Sequence, residues 1–172
     1  ALVVKPAGVC VQSTDPNADC VSGDATCSVF KKAGTSADPG SKFNLIVRGV
    51  TWESAVDTDF CSGVAGTNLT TPNFQLNAIP LTHTKIRPTG PGSQTGTLGV
   101  SSVDIAAADN GAATIANQAL SEVGVFTITA TPPLYQSETI AASTSANIGR
   151  FVPDRFTVTD NSPGFVNACT SG

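Results

Sequence analysis

Val125-Phe126-Thr127-Ile128-Thr129-Ala130-Thr131 alternates without interruption. Phe126, Ile128 and Ala130 fall on one side and the three threonines on the other, the period-two pattern of a strand with one buried face. Pro132-Pro133 ends it, since proline cannot extend a ladder. Upstream, residues 43–52 hold the strongest strand signal of the chain, Phe43-Asn44-Leu45-Ile46-Val47-Arg48-Gly49-Val50-Thr51-Trp52, apolar on both faces in places. Residues 74–79 and 81–87 read as two strands separated at Pro80, the second placing His83, Lys85 and Arg87 on one face. Residues 97–105 and 113–120 flank Asp109-Asn110-Gly111, where Asn and Gly tolerate positive φ and predict a hairpin turn. Residues 2–5, 139–142 and 151–159 complete the set. Gly149 and Pro153 mark an irregular or edge position for the last strand. Short strands punctuated by turns predict an all-β, immunoglobulin-like antiparallel β-sandwich. Phe43, Leu45, Val47, Phe126, Ile128 and Ala130 are expected inside it.

Composition points the same way. Hydrophobic residues make up 40% of the 172 positions and charged residues 13%, the latter about half the usual share of roughly 25%. Disorder through excess charge is excluded. Sixteen glycines and eleven prolines supply the turns. The net charge is −4, and the nine lysines and arginines are scattered. That excludes the basic stripe of a nucleic-acid binder and a polybasic lipid site. No apolar run approaches the length of a membrane-spanning helix. Residues 1–160 are expected to form one sandwich domain. Residues 161–172 are expected to be a tail leading to a downstream domain of a longer secreted protein.

Cysteines stand at 10, 20, 27, 61 and 169. Their clustering predicts disulfides and an oxidising compartment, with residues 10–41 as a long, irregular, disulfide-braced loop. Cys10, Cys20, Cys27 and Cys61 allow three pairings, among which sequence alone does not choose. The preference is Cys20 with Cys27, closing a short loop, and Cys10 with Cys61. Cys169 is left over and is expected free or bonded to another chain. Structural zinc is disfavoured, because no Cys-x2-Cys pair occurs and His83 is the single histidine.

Other motifs weigh against chemistry. Asp15, Asn17 and Asp19 have the spacing of a calcium loop's opening, but Cys20 stands where the turn glycine belongs and no glutamate closes the loop. A solvated loop is the reading preferred there. Asp57 and Asp59 form a second acidic pair, and Asn68-Leu69-Thr70 matches a glycosylation sequon. Trp52, the sole tryptophan, reads as core, with an exposed ligand platform as the alternative. His83 is the one available imidazole base, yet no nucleophile elbow accompanies it. Asp154-Arg155 reads as a strand-end ion pair. No enzymatic activity and no cofactor are expected.

Two stretches carry a resemblance. Residues 121–131 look like the penultimate strand of bacterial immunoglobulin-like domains. Ile148-Gly149-Arg150-Phe151-Val152-Pro153-Asp154-Arg155-Phe156 is similar to a motif of MshQ-type proteins, associated with the MSHA type IV pili of Gram-negative bacteria. Residues 27–34 and 60–63 also look like that family's cysteine-bearing region. The resemblance implies an exported, modular protein of the bacterial cell surface. This chain would then be a non-catalytic structural or adhesive module, partnered by pilus or other surface-protein components. The alternative is a lectin-like module binding host or surface glycans, or a protein, through residues 10–41 and 53–73.

Overall fold

The computed structural model describes residues 4–18, 20, 27, 29–54, 59–61 and 69–158. Among the described residues nine strands follow in order: β1 Gly8–Ser13, β2 Lys31–Lys32, β3 Phe43–Val50, β4 Leu76–Arg87, β5 Ser102–Ile105, β6 Ala112–Gln118, β7 Gly124–Ala130, β8 Ser143–Thr144 and β9 Ile148–Val152. They form two packed sheets, one of order β1-β3-β6 and one of order β2-β9-β7-β4-β5 with β8 beside β7. Every pairing between these strands is antiparallel except the two-residue contact of β2 with β9. The chain is thus an all-β sandwich, held by disulfides.

The core is the alternation made physical. Phe43, Leu45 and Val47 of β3 meet Phe126, Ile128 and Ala130 of β7, all buried as expected. Phe151 joins them, with ring centroids 5.5 Å from Phe43 and 5.9 Å from Phe126. Burying each such side chain contributes about 1.5–3 kcal/mol. Buried polar groups sit where strands end. Gln118 is fully buried: its amide oxygen accepts the Val100 N–H at 2.9 Å and its amide nitrogen donates to the Val100 carbonyl at 2.8 Å. The side chain therefore acts as one more ladder position. Ser145 fills the gap between β8 and β9, its hydroxyl accepting the Ile128 N–H at 2.9 Å.

Several expectations are corrected. The first strand is β1 at Gly8–Ser13, so residues 10–13 of the supposed loop are strand; residues 2 and 3 lie outside the described residues. Pro80 does not divide two strands. β4 runs through it, pairing first with β5 and then, from Leu81, with β7. The Pro80 carbonyl still accepts the Thr131 N–H at 3.1 Å just past the end of β7, so the missing N–H falls at a ladder's end. Ala78, at φ 55°, makes the bulge before it, and Asp104 accepts the freed Ala78 N–H at 2.6 Å.

Asp109-Asn110-Gly111 is a turn, with Asn110 and Gly111 at positive φ, but no hairpin. β5 belongs to one sheet and β6 to the other, so the turn is a crossover. Any Cβ at Gly111 would collide with the Thr71 carbonyl. The strand expected at 139–142 is β8 at Ser143–Thr144. The closing strand begins earlier than expected and ends at Val152 before Pro153. It is also not the outermost strand, because β2 pairs along it. Residues from 159 on, Cys169 among them, lie outside the described residues.

Candidate functional site

One end of the sandwich carries three exposed apolar side chains, Val4, Trp52 and Leu69. β3 finishes at Val50, and the chain leaves through Thr51 and Trp52. Three segments are fastened around that exit. Residues 69–74 are held by the Thr51 N–H to the Leu69 carbonyl and the Thr71 N–H to the Gly49 carbonyl, both 2.9 Å. Residues 4–7 are held by the Ala7 N–H to the Val50 carbonyl at 2.9 Å. Lys5 adds a 2.6 Å hydrogen bond to the Thr139 carbonyl and a 3.3 Å ion pair with Glu138. Residues 59–61 are held by the Cys10–Cys61 disulfide, whose Cα atoms are 4.9 Å apart. Arg48 bridges two of these segments, donating to the Cys61 carbonyl at 3.3 Å and the Thr70 hydroxyl at 3.4 Å. Burial lowers its pKa from the usual arginine value.

Two open grooves flank the Lys5-Pro6 ridge. One, of about 320 Å³, is walled by Thr70, Phe74 and Tyr135. The other, of about 430 Å³, is walled by Trp52, Glu53 and Phe60. Phe60 lies so flat on Gly8 that a Cβ there would come within 2.8 Å of its ring. Trp52 is 69% exposed, Leu69 65% and Val4 78%. The core position expected for Trp52 is therefore corrected: β3 ends two residues short of it, so its side chain escapes the inter-sheet space.

His83 sits elsewhere. It continues the inward line of Leu81 and lies 5.9 Å from the Phe126 ring. Its Nε2 donates to the Thr95 carbonyl at 3.0 Å, and Lys85 donates to the Gln94 carbonyl at 2.9 Å. Together they pin the loop at 88–97 over the open end of β4. The structure does not bring His83 and Trp52 together: His83 lies against Phe126 and Thr95, and Trp52 lines the groove beside Lys5.

The second disulfide, Cys20–Cys27, is laid on the outer face of the larger sheet. It packs against Val125, Val29 and Ile86, and its sulfurs lie 3.4 and 2.9 Å from the Gly149 carbonyl oxygen. Backbone bonds from Cys20 to Asn147, Gly149 to Ala18, Arg150 to Val29 and Ala33 to Val152 run along β9. Both pairings are those preferred above. Asp15 accepts the Asn17 N–H at 2.9 Å and ion-pairs with Lys31; Asp19 lies outside the described residues. Among the described residues no group of three or more His, Cys, Asp or Glu converges on a metal site. Asp154 pairs with Lys32 and, at 3.3 Å, with Arg155. The hydrogen bond and charge of Lys32 hold its carboxyl below the usual carboxylate value. Among the described residues no helix is long and apolar enough to cross a membrane.

The contributions of Phe60 and Tyr135 were not anticipated. Neither has a periodic neighbour, and Phe60 is brought to its place beside the long-range Cys10–Cys61 bond.

Residues 5–119 match the family model described as DUF6701, second domain, and residues 122–172 match that described as DUF6701, third domain. No curated protein and no solved structure gives a match. The boundary between the two matched spans lies between β6 and β7, inside one shared core. The chain belongs to the DUF6701 family.

Proposed function

We propose that this chain is a non-catalytic structural and adhesive module of an MSHA-like, type IV pilus-associated bacterial surface protein, exported through the periplasm to the cell surface. The observation that carries the reading is the pair of disulfides. Each ties an irregular segment onto the outer face of one sheet, a device suited to a domain that works in an oxidising space. The resemblance supplies the pilus. Its motif residues have structural uses here: Ile148 and Phe151 are core, Gly149 carries φ 123°, and Asp154 holds the Lys32 and Arg155 pairs.

Fractionation of the native bacterium tests this. The protein is expected in the surface or sheared-pilus fraction, with its four early cysteines oxidised. Deletion of its gene should reduce piliation or surface attachment. Recovery in the cytoplasm with free thiols would end the proposal, as would unchanged piliation and attachment in the deletion strain.

A further inference from the structure

We infer that the Trp52 end is the docking surface for the domain that precedes this one in the same polypeptide, the first domain of the family. The inference rests on the modular part of the function proposed above and not on the pilus.

Three observations meet at this end. First, three large apolar side chains at this end are left in water: Val4, Trp52 and Leu69 are each about two-thirds or more exposed. Apolar side chains gathered at one surface mark an interaction site. Second, the two cations beside them are already engaged internally. The Lys5 amino group is bonded to Thr139 and Glu138, and the Arg48 guanidinium to Cys61 and Thr70. With both cations engaged, what the end offers a partner is chiefly apolar area, which suits a protein surface. Third, the occupant is supplied by the family's own order. The match to its second domain starts at residue 5, and Lys5 forms the ridge between the two grooves.

A domain joined just before Lys5 is tethered to the patch it would cover. Each residue of linker reaches at most about 3.3–3.6 Å. A short tether holds the two surfaces at an effective concentration on the order of millimolar. Modest apolar contact is then enough to seat the domain. The segment at 4–7 is itself fixed by Ala7 and Lys5, so the neighbouring domain arrives with a defined direction.

Hydroxyl-radical footprinting read by mass spectrometry tests the inference on the natural polypeptide carrying the upstream domain, beside the 172-residue chain. Oxidation of Trp52 and Leu69 is expected to fall several-fold in the longer polypeptide, while that of Phe30, exposed and lining neither groove, stays the same. Equal Trp52 oxidation in both would overturn the inference. So would protection of Trp52 in the 172-residue chain by a glycan mixture without protection by the upstream domain. A second measurement uses Trp52→Asp with Leu69→Asp in the longer polypeptide. Both sites are exposed, so folding is retained. Faster proteolytic cleavage around residues 1–4 is expected, and an unchanged rate would count against the docking. Fractionation of the cell reads the surface role separately, so either idea can fail alone.

Discussion

The two disulfides do the same thing on opposite sides of the molecule by different means. Cys10–Cys61 joins a strand of the smaller sheet to a distant segment, across a sequence separation of 51. Cys20–Cys27 closes a loop with a separation of 7 and presses it on Val125 and Ile86 of the larger sheet. In the chain-entropy picture stabilisation grows with the logarithm of loop length. The first bond therefore acts mainly on the unfolded chain, and the second mainly on the surface it covers. A sheet that needs both faces protected can obtain the second cover from either source.

Removing the long-range bond should have the larger effect. The double substitution Cys10→Ala with Cys61→Ala is expected to lower the unfolding free energy by about 4 kcal/mol, measured by urea denaturation. Phe60 should also leave Gly8, which amide exchange at β1 would report. Cys20→Ala with Cys27→Ala should cost less, about 2 kcal/mol from chain entropy, with exchange rising along β9 but not β1. If the second pair costs more than the first, packing on Val125 outweighs chain entropy and the contrast drawn above is inverted.

The smallest effect is expected at the rim of the β2–β9 contact. Asp154 carries a lowered pKa because Lys32 stabilises its charged form. A carboxylate whose folded pKa is lowered stabilises the fold above its ordinary pKa, and that contribution is lost as pH falls through the lowered value. Asp154→Asn should therefore lower the thermal midpoint slightly near neutral pH. The difference from the parent should vanish on acidification below the carboxylate range and shrink in high salt. A difference that grows on acidification would show that Asp154 does not stabilise through its charge.

What could be read in advance follows the range over which each signal acts. Phe126, Ile128 and Ala130 were legible because alternation is local and one face is dry. β1 was not, because Val9 and Val11 enter the core while Gly8 and Cys10 are covered from outside by Phe60 and Cys61. A strand buried on both faces shows no period. Asn110-Gly111 announced its own backbone, but not that β5 and β6 would choose different sheets; that depends on which strands offer free edges. Pro80 misled because its cost depends on where the ladder ends. At the candidate site, Trp52 carried no neighbour to declare its side, and its exposure follows from β3 stopping at Val50. Gln118, Asp104 and Ser145 were silent because a polar side chain replacing a ladder bond looks, in sequence, like any surface residue.

Cys20 and Cys27 are nested between Cys10 and Cys61 along the chain, and nesting imposes an order on oxidation. Synthesis runs from the N-terminus, so Cys10, Cys20 and Cys27 emerge first. The pair separated by the shorter segment meets more often, because the entropy of closing a loop rises with its length. Once Cys20 and Cys27 have joined, Cys10 has only Cys61 left among the early thiols. Cys169 emerges last, after both partners of each pair are available. The layout thus favours the Cys20–Cys27 closure, and once it has formed the Cys10–Cys61 pairing follows.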